Sequence, residues 1–383
     1  MSLTVLGDAP VSPNLVAADR SSVCAYPVAT RLADGTVCAL YRQGRDKHGA
    51  DGRFLMQRSA DRGAIWSEPV VVLDRGGRVI GSPAADGPAR VPSMAGLLQT
   101  SSGALVANFG VVEGLSEGTY MFADEARDLP VRTLLTRSED GGTTWAAAEV
   151  LDGAPAGSCP TNKPFQRPAG TICMPLEIAG AVPGVPGTGM VFSDDDGRSF
   201  GGFVRCAVDD SGTLAWCDGH CTQLDDGRIL LLLWTFRAAD ETTIDVHRCH
   251  SEDGGRTWSD PLPTGLQGQV TAPVALRGGP VLAASNRRVA PDGILIHVSH
   301  DGGDTWDQDA SVRMWDAAAE RTVAEPEGAT RVRHGAGIWA ALGGFTFGTP
   351  DLTLLDDGTV LLVHYATVDG VTHVRAVRFR FDA

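Results

Sequence analysis

Six times along the chain, an apolar run passes through a polar, glycine-bearing turn into a second apolar run. The segments are RLADGTVCALY from Arg31, LLQTSSGALVANF from Leu97, FQRPAGTICMPLE from Phe165, QLDDGRILLLLW from Gln223, ALRGGPVLAAS from Ala275 and LLDDGTVLLVHY from Leu354. Strand-like runs flanking such a turn predict a β-hairpin. A second motif follows five of the six hairpins: SADRGAIW from Ser59, SEDGGTTW from Ser138, SDDDGRSF from Ser193, SEDGGRTW from Ser251 and SHDGGDTW from Ser299. The starts lie 79, 55, 58 and 48 residues apart, about one propeller blade each. The sixth unit lacks the motif and ends in VTHVRAVRFRF, Val371 to Phe381.

The motif reads as a structural turn. Its Ser and Asp side chains accept backbone N–H bonds, its Gly takes a positive φ, and its terminal Trp or Phe anchors between strands. Asp61, Asp140, Asp195, Asp253 and Asp301 are therefore assigned to structure rather than to catalysis. The N-terminal LTVLGDA is expected to pair into the last unit and close a ring, which removes sheet edges. The expected fold is all-β, a single six-bladed β-propeller domain over residues 1–383 with a loop insertion at about 308–350. Within that insertion AAAERTVAEPEG predicts a short helix ending near Pro326, with Glu320 and Arg321 near a pocket mouth.

Charge narrows the partners. A net charge of −15 over 383 residues argues against nucleic acid, whose phosphates need a basic footprint. No stretch is long and apolar enough to span a bilayer, so no membrane partner is expected. MSLTVLGDAPVSP lacks a basic stretch followed by an apolar run, which sets the expectation of a cytoplasmic location. A mature secreted chain would open the same way. Eight cysteines are scattered, and although Cys217 and Cys221 flank His220, the second ligand pair of a closed zinc site is missing. No metal and no organic cofactor is expected.

In a four-stranded blade the first and third turns share one face of the disc. The Asp motifs and the hairpin turns occupy that face, so a ligand site falls to the remaining loops. Arg42, Arg45, Asp46, Lys47 and His48 cluster in the first of these. Arg42 offers a planar fork for a carboxylate, and Asp46 or His48 suits acid–base work. Arg237, Arg287 and Arg288 end strands in blades four and five, as a carboxylate clamp would require. Glu177, Asp218 and His220 open towards the same region, and a carboxylate pair drawn from Glu177, Asp218 and Asp46 suits glycoside hydrolysis. The alternative for each is a solvated loop or strand end.

The five motifs resemble the Asp boxes of the sialidase (neuraminidase) superfamily of six-bladed β-propellers. That resemblance covers essentially the whole chain and implies a sialidase-like glycoside hydrolase acting on an anionic or unusual glycan. Sialidases open with a Phe-Arg-Ile-Pro stretch; here CAYP, Cys24 to Pro27, takes its place, with Ala25 at the arginine position. The second and third family arginines are similar to Arg237 and Arg287. Asp46 or Asp51 is nearest to the acid/base Asp, and Asp218 to the activating Glu. FTFGTPDLTLL, from Phe345, lacks the nucleophilic Tyr, and Tyr365 falls near the family's last Glu. Two alternatives stand beside this reading, the first permitted by His and Tyr365 on the loop face and the second by the missing first arginine and Tyr. One is a polysaccharide lyase-like propeller with His48 or His220 as base. The other is a non-catalytic glycan-binding propeller.

Overall fold

The computed structural model describes residues 2–80, 88–122, 126, 128–319 and 342–382. Glu320, Arg321 and most of the expected helix in the insertion lie outside them. Six antiparallel sheets of four principal strands form the blades of a propeller. Blade one runs Val23–Arg31, Val37–Gly44, Arg53–Ser59 and Val70–Leu73, and the later blades repeat the order. In blade six the order is Phe347–Leu354, Val360–Val368, Val371–Asp382 and then Ser2–Pro10. The first strand of the chain is thus the outermost strand of the last blade, with Leu3 opposite Phe381 and Ala9 opposite Ala376.

Each blade buries both faces of its sheet against its neighbours. Leu40, Phe54, Leu97 and Phe109 fill the seam between blades one and two. Leu282, Ile296, Leu362 and Phe379 fill that between blades five and six. The Asp boxes lock the rim of these seams. In every box the Ser hydroxyl donates to the Asp carboxylate, at 2.7–2.9 Å, and accepts the Gly N–H, at 2.7–2.8 Å. The same carboxylate takes the N–H four residues on, at 2.8–2.9 Å. The box glycine also lets neighbouring blades approach closely. A Cβ on Gly197, φ +81°, would lie 2.5 Å from Val106 of the preceding blade.

Lys163 ties the ring across its centre. It lies between the two short inner strands of blade three, and its ammonium reaches Ala29 O of blade one at 2.9 Å. It also reaches Asp351 Oδ2 at 2.9 Å, Leu352 O at 2.9 Å and Thr353 Oγ1 at 3.1 Å, all of blade six. Buried Asp351 accepts the Ala29 N–H as well, at 2.9 Å.

Inner strands are interrupted near the opposite face of the disc. Register shifts fall between Ala25 and Val28, Pro92 and Ala95, Cys217 and His220, and Gly348 and Asp351. Tyr26 (φ 55°), Asp218 (φ 46°) and Thr349 (φ 42°) stand at three of these bulges with left-handed backbone. A bulge re-aims a side chain that regular alternation would send into a seam. All three residues line the same cavity.

Candidate active site

The cavity encloses about 670 Å³ on the face away from the Asp boxes. One wall is acidic. Glu177 comes from the second strand of blade three, Ile172–Ala179, and Asp218 from the bulge of blade four. Asp tolerates left-handed backbone better than most residues. Gly219 completes the bulge, because a Cβ there would stand 2.6 Å from the Thr188 methyl. The Asp218 N–H bonds the Glu177 carboxyl. Burial pushes both carboxyls well up, and Glu177 is raised further by the charge of Asp218. Two such acids in one low-dielectric wall titrate as a pair, and one proton stays between them when exposed carboxylates are ionised.

The facing wall is aromatic and basic. Tyr26 Oη lies 2.5 Å from His48 Nε2. His48 packs edge-on to Tyr120 and Phe122, ring centres 5.4 and 4.9 Å away. Burial, then the charges of Arg42 and Lys47, hold the imidazole well below its ordinary pKa, so it is neutral at neutral pH. Burial also pushes the Tyr26 phenol up. Arg288 is the anchor of this half. It donates Nε to Gln269 Oε1 at 2.6 Å, stacks 3.5 Å above the Phe345 ring centre and hydrogen-bonds the Tyr365 hydroxyl. Gly348 clears that space, since a Cβ on it would lie 2.7 Å from Arg288 Nη2 and 3.1 Å from Tyr365 Oη. Asn286 and Thr349 line the cavity too, and Asn286 Oδ1 and Thr349 Oγ1 have no hydrogen-bond partner among the described residues.

Of the residues singled out from sequence, the structure brings His48, Glu177, Asp218, Arg288 and Tyr365 to this cavity. It places the others elsewhere. Arg42 is fully buried and donates to Pro92 O, Asp46 O and Gly49 O at 2.9, 2.7 and 2.5 Å. It scaffolds the 44–52 loop and is not a substrate clamp. Asp46 is exposed, and its carboxylate accepts the His48 N–H at 2.7 Å instead of facing the cavity. Arg237 ends its strand in solvent, paired with Asp240 at 3.0 Å. Arg287 bonds Ala290 O at 3.2 Å. Of the two arginines expected as a clamp, Arg287 closes its strand outside the cavity lining and Arg288, just past the strand end, enters the cavity.

His220 is buried behind the wall, with Nδ1 unpartnered among the described residues; burial and Lys163 lower its pKa to about 3. Among the described residues no group of three or more His, Cys, Asp and Glu stands together as a metal site. Lys47 bonds Leu342 O at 3.1 Å and Phe345 O, beneath the cavity rim. Burial and the Arg288 charge lower its pKa to about 7. Sequence reasoning missed Tyr26, two residues after Cys24, because it weighed Ala25 by position; the bulge turns the next side chain inward.

The family model for the BNR repeat-like domain matches residues 120–362. No curated protein sequence matches the chain. Among solved structures, a protein of unknown function from Dyadobacter fermentans superposes with a TM-score of 0.75 at 17% identity, covering 99% of each chain. The Hadza microbial sialidase Hz136 gives 0.66 at 15% identity, over 93% of this chain and 65% of that one. The intramolecular trans-sialidase of Ruminococcus gnavus, solved with oseltamivir carboxylate, gives 0.61 at 15% identity, over 95% and 96%. These likenesses are likenesses of fold.

Proposed function

The chain belongs to the BNR repeat-like domain family, and from that premise we propose that it is a sialidase-like glycoside hydrolase acting on an anionic glycan. The observation that carries this reading is the Glu177–Asp218 pair, two half-buried acids lining one cavity, with both carboxyls pushed up by desolvation. The protonated member gives its proton to the glycosidic oxygen as the C–O bond breaks. The ionised member takes a proton from the water that adds to the anomeric carbon. Arg288, held by Gln269 and Tyr365, receives the anionic group of the sugar, a task suited to a fixed guanidinium fork. The oseltamivir carboxylate bound by the Ruminococcus gnavus relative is consistent with a carboxylate ligand in this fold.

The 2.5 Å Tyr26–His48 contact favours a second reading, β-elimination on a uronate. A neutral imidazole takes the proton next to the carboxylate, the C–H electrons form the double bond, and the leaving oxygen takes a proton from the carboxyl pair. The test is mass spectrometry of products from sialosides, other ulosonic-acid glycosides, uronic-acid oligosaccharides and arabinans. Hydrolysis predicts products heavier by one water in total, lost in Glu177→Gln and Asp218→Asn. Elimination predicts conserved mass with one unsaturated product, lost in His48→Gln. Binding without product from any of them overturns both and leaves a glycan-binding propeller.

A further inference from the structure

A second depression, of about 340 Å³, lies on the cavity face of blade one. The 44–52 loop is the wall between the two. His48 stands on its cavity side, while Gly44, Arg45 and Asp51 line the depression. Arg42 holds this loop rigid from beneath; a Cβ on Gly52 would lie 2.2 Å from its guanidinium. The two spaces therefore keep a fixed relation.

The charges in the depression are unevenly satisfied. Asp51 already accepts the Arg45 backbone N–H and Nε, at 2.9 and 3.1 Å. Asp19 accepts the Ser21 N–H and hydroxyl, at 2.9 and 2.6 Å. Of the three arginines, Arg45 is paired with Asp51 and with Glu117, at 3.1 and 2.8 Å, and the other two are not matched in this way. Arg53 spends Nε and Nη2 on one neutral acceptor, Gln43 Oε1, at 2.9 and 2.6 Å, and makes no ion pair among the described residues. Arg75 has no hydrogen-bond or ion-pair partner among them. Gln43 is fixed in turn by donating Nε2 to Ser22 Oγ at 2.9 Å. Arg53 is thus oriented in advance by a two-residue relay, with its charge left uncompensated. In a chain of net charge −15, two unpaired guanidinium groups in one depression mark a place for an anion.

We propose that this depression is an accessory subsite for the carboxylate or sulfate of a second sugar in an anionic oligosaccharide, with Arg53 and Arg75 as its ligands. The proposal rests on the glycan reading of the main cavity, and the experiment separates the two. Binding of trigalacturonate and of a heparin-derived tetrasaccharide is measured by calorimetry at two salt concentrations. The proteins are the wild type and the Arg53→Gln/Arg75→Gln double variant. The expected result is binding of at least one probe, weakened about tenfold with a flatter salt dependence in the double variant. Binding of trigalacturonate shows that carboxylates suffice, and binding of the heparin tetrasaccharide alone assigns the subsite to sulfate. Equal binding by wild type and double variant, or no binding of either probe, overturns the subsite. Glycan turnover that survives in the double variant leaves the cavity reading intact. Salt-sensitive binding without turnover of any glycan leaves the subsite standing and removes the hydrolase.

Discussion

The two faces of the disc use the same side chain in opposite ways. On the Asp-box face each carboxylate is surrounded by donors. For Asp195 and Asp253, burial alone would raise the pKa, yet hydrogen bonds from the Ser and Thr hydroxyls and backbone N–H groups bring it down to about 2. On the cavity face Glu177 and Asp218 have few donors and each other, and burial drives them up. A carboxylate satisfied by its own turn is a fastener, whereas a carboxyl pair in a low-dielectric wall is a proton store. An acidic residue in this chain is therefore interpretable only with its donors counted.

The contrast is broken most severely at the pair itself. Glu177→Gln or Asp218→Asn is expected to lower kcat on a turned-over glycan by about 10²–10⁴-fold, without loss of melting temperature. An equal loss from Asp253→Ala would erase the distinction between the faces. Next in size is the axial tie. Lys163→Met leaves Asp351 buried without its cation and is expected to cost about 3 kcal/mol in urea unfolding. An unchanged midpoint would mean the blades close without it. Tyr26→Phe removes one partner of the 2.5 Å contact. For hydrolysis it is expected to cost about tenfold in kcat; for elimination, the activity itself, read by ultraviolet absorbance of the unsaturated product. Asp253→Ala loses its bonds to the Arg256 and Thr257 N–H groups and the Thr257 hydroxyl. It should lower the melting temperature by about 2–4 °C with turnover intact, a result that calorimetry and an activity assay check together.

The smallest effect is the pH slope of stability, and its sign differs between the faces. The box aspartates have lowered pKa values, so the folded state binds fewer protons; their contribution holds above the ordinary carboxyl range and is lost as pH falls towards about 2. The pair has raised values, so the folded state keeps protons the unfolded chain has lost, and stability declines as pH rises above that range. A Glu177→Gln/Asp218→Asn variant should flatten the decline and leave the acid limb in place. Denaturant midpoints across pH would show it.

Much of the fold was legible because its signals are local. A hairpin needs a turn glycine between strand-like runs, and an Asp box holds its hydrogen-bonding partners within eight residues. Ring closure was legible because one unit lacked a box while an unassigned strand stood at the other end of the chain. Glu177 and Asp218 could be picked out as acids at the ends of strands opening away from the boxes. The arginines were less legible. Whether Arg287 or Arg288 enters the cavity depends on where the strand ends, and Arg42 looks like a ligand until its three carbonyl acceptors are placed around it. Tyr26 was hidden because a bulge is a relation between two strands. Nothing in CAYP alone reports the register shift between Ala25 and Val28.

Desolvation is expected to leave the Glu177–Asp218 pair holding a proton when the box aspartates are ionised. Difference infrared spectroscopy of wild type against Glu177→Gln/Asp218→Asn, titrated from mildly acidic to alkaline pH, reads it directly. The expected result is a protonated-carboxyl band that persists at neutral pH in the wild type, is absent from the variant and disappears only towards alkaline pH. A wild type with every carboxyl ionised at neutral pH would contradict it.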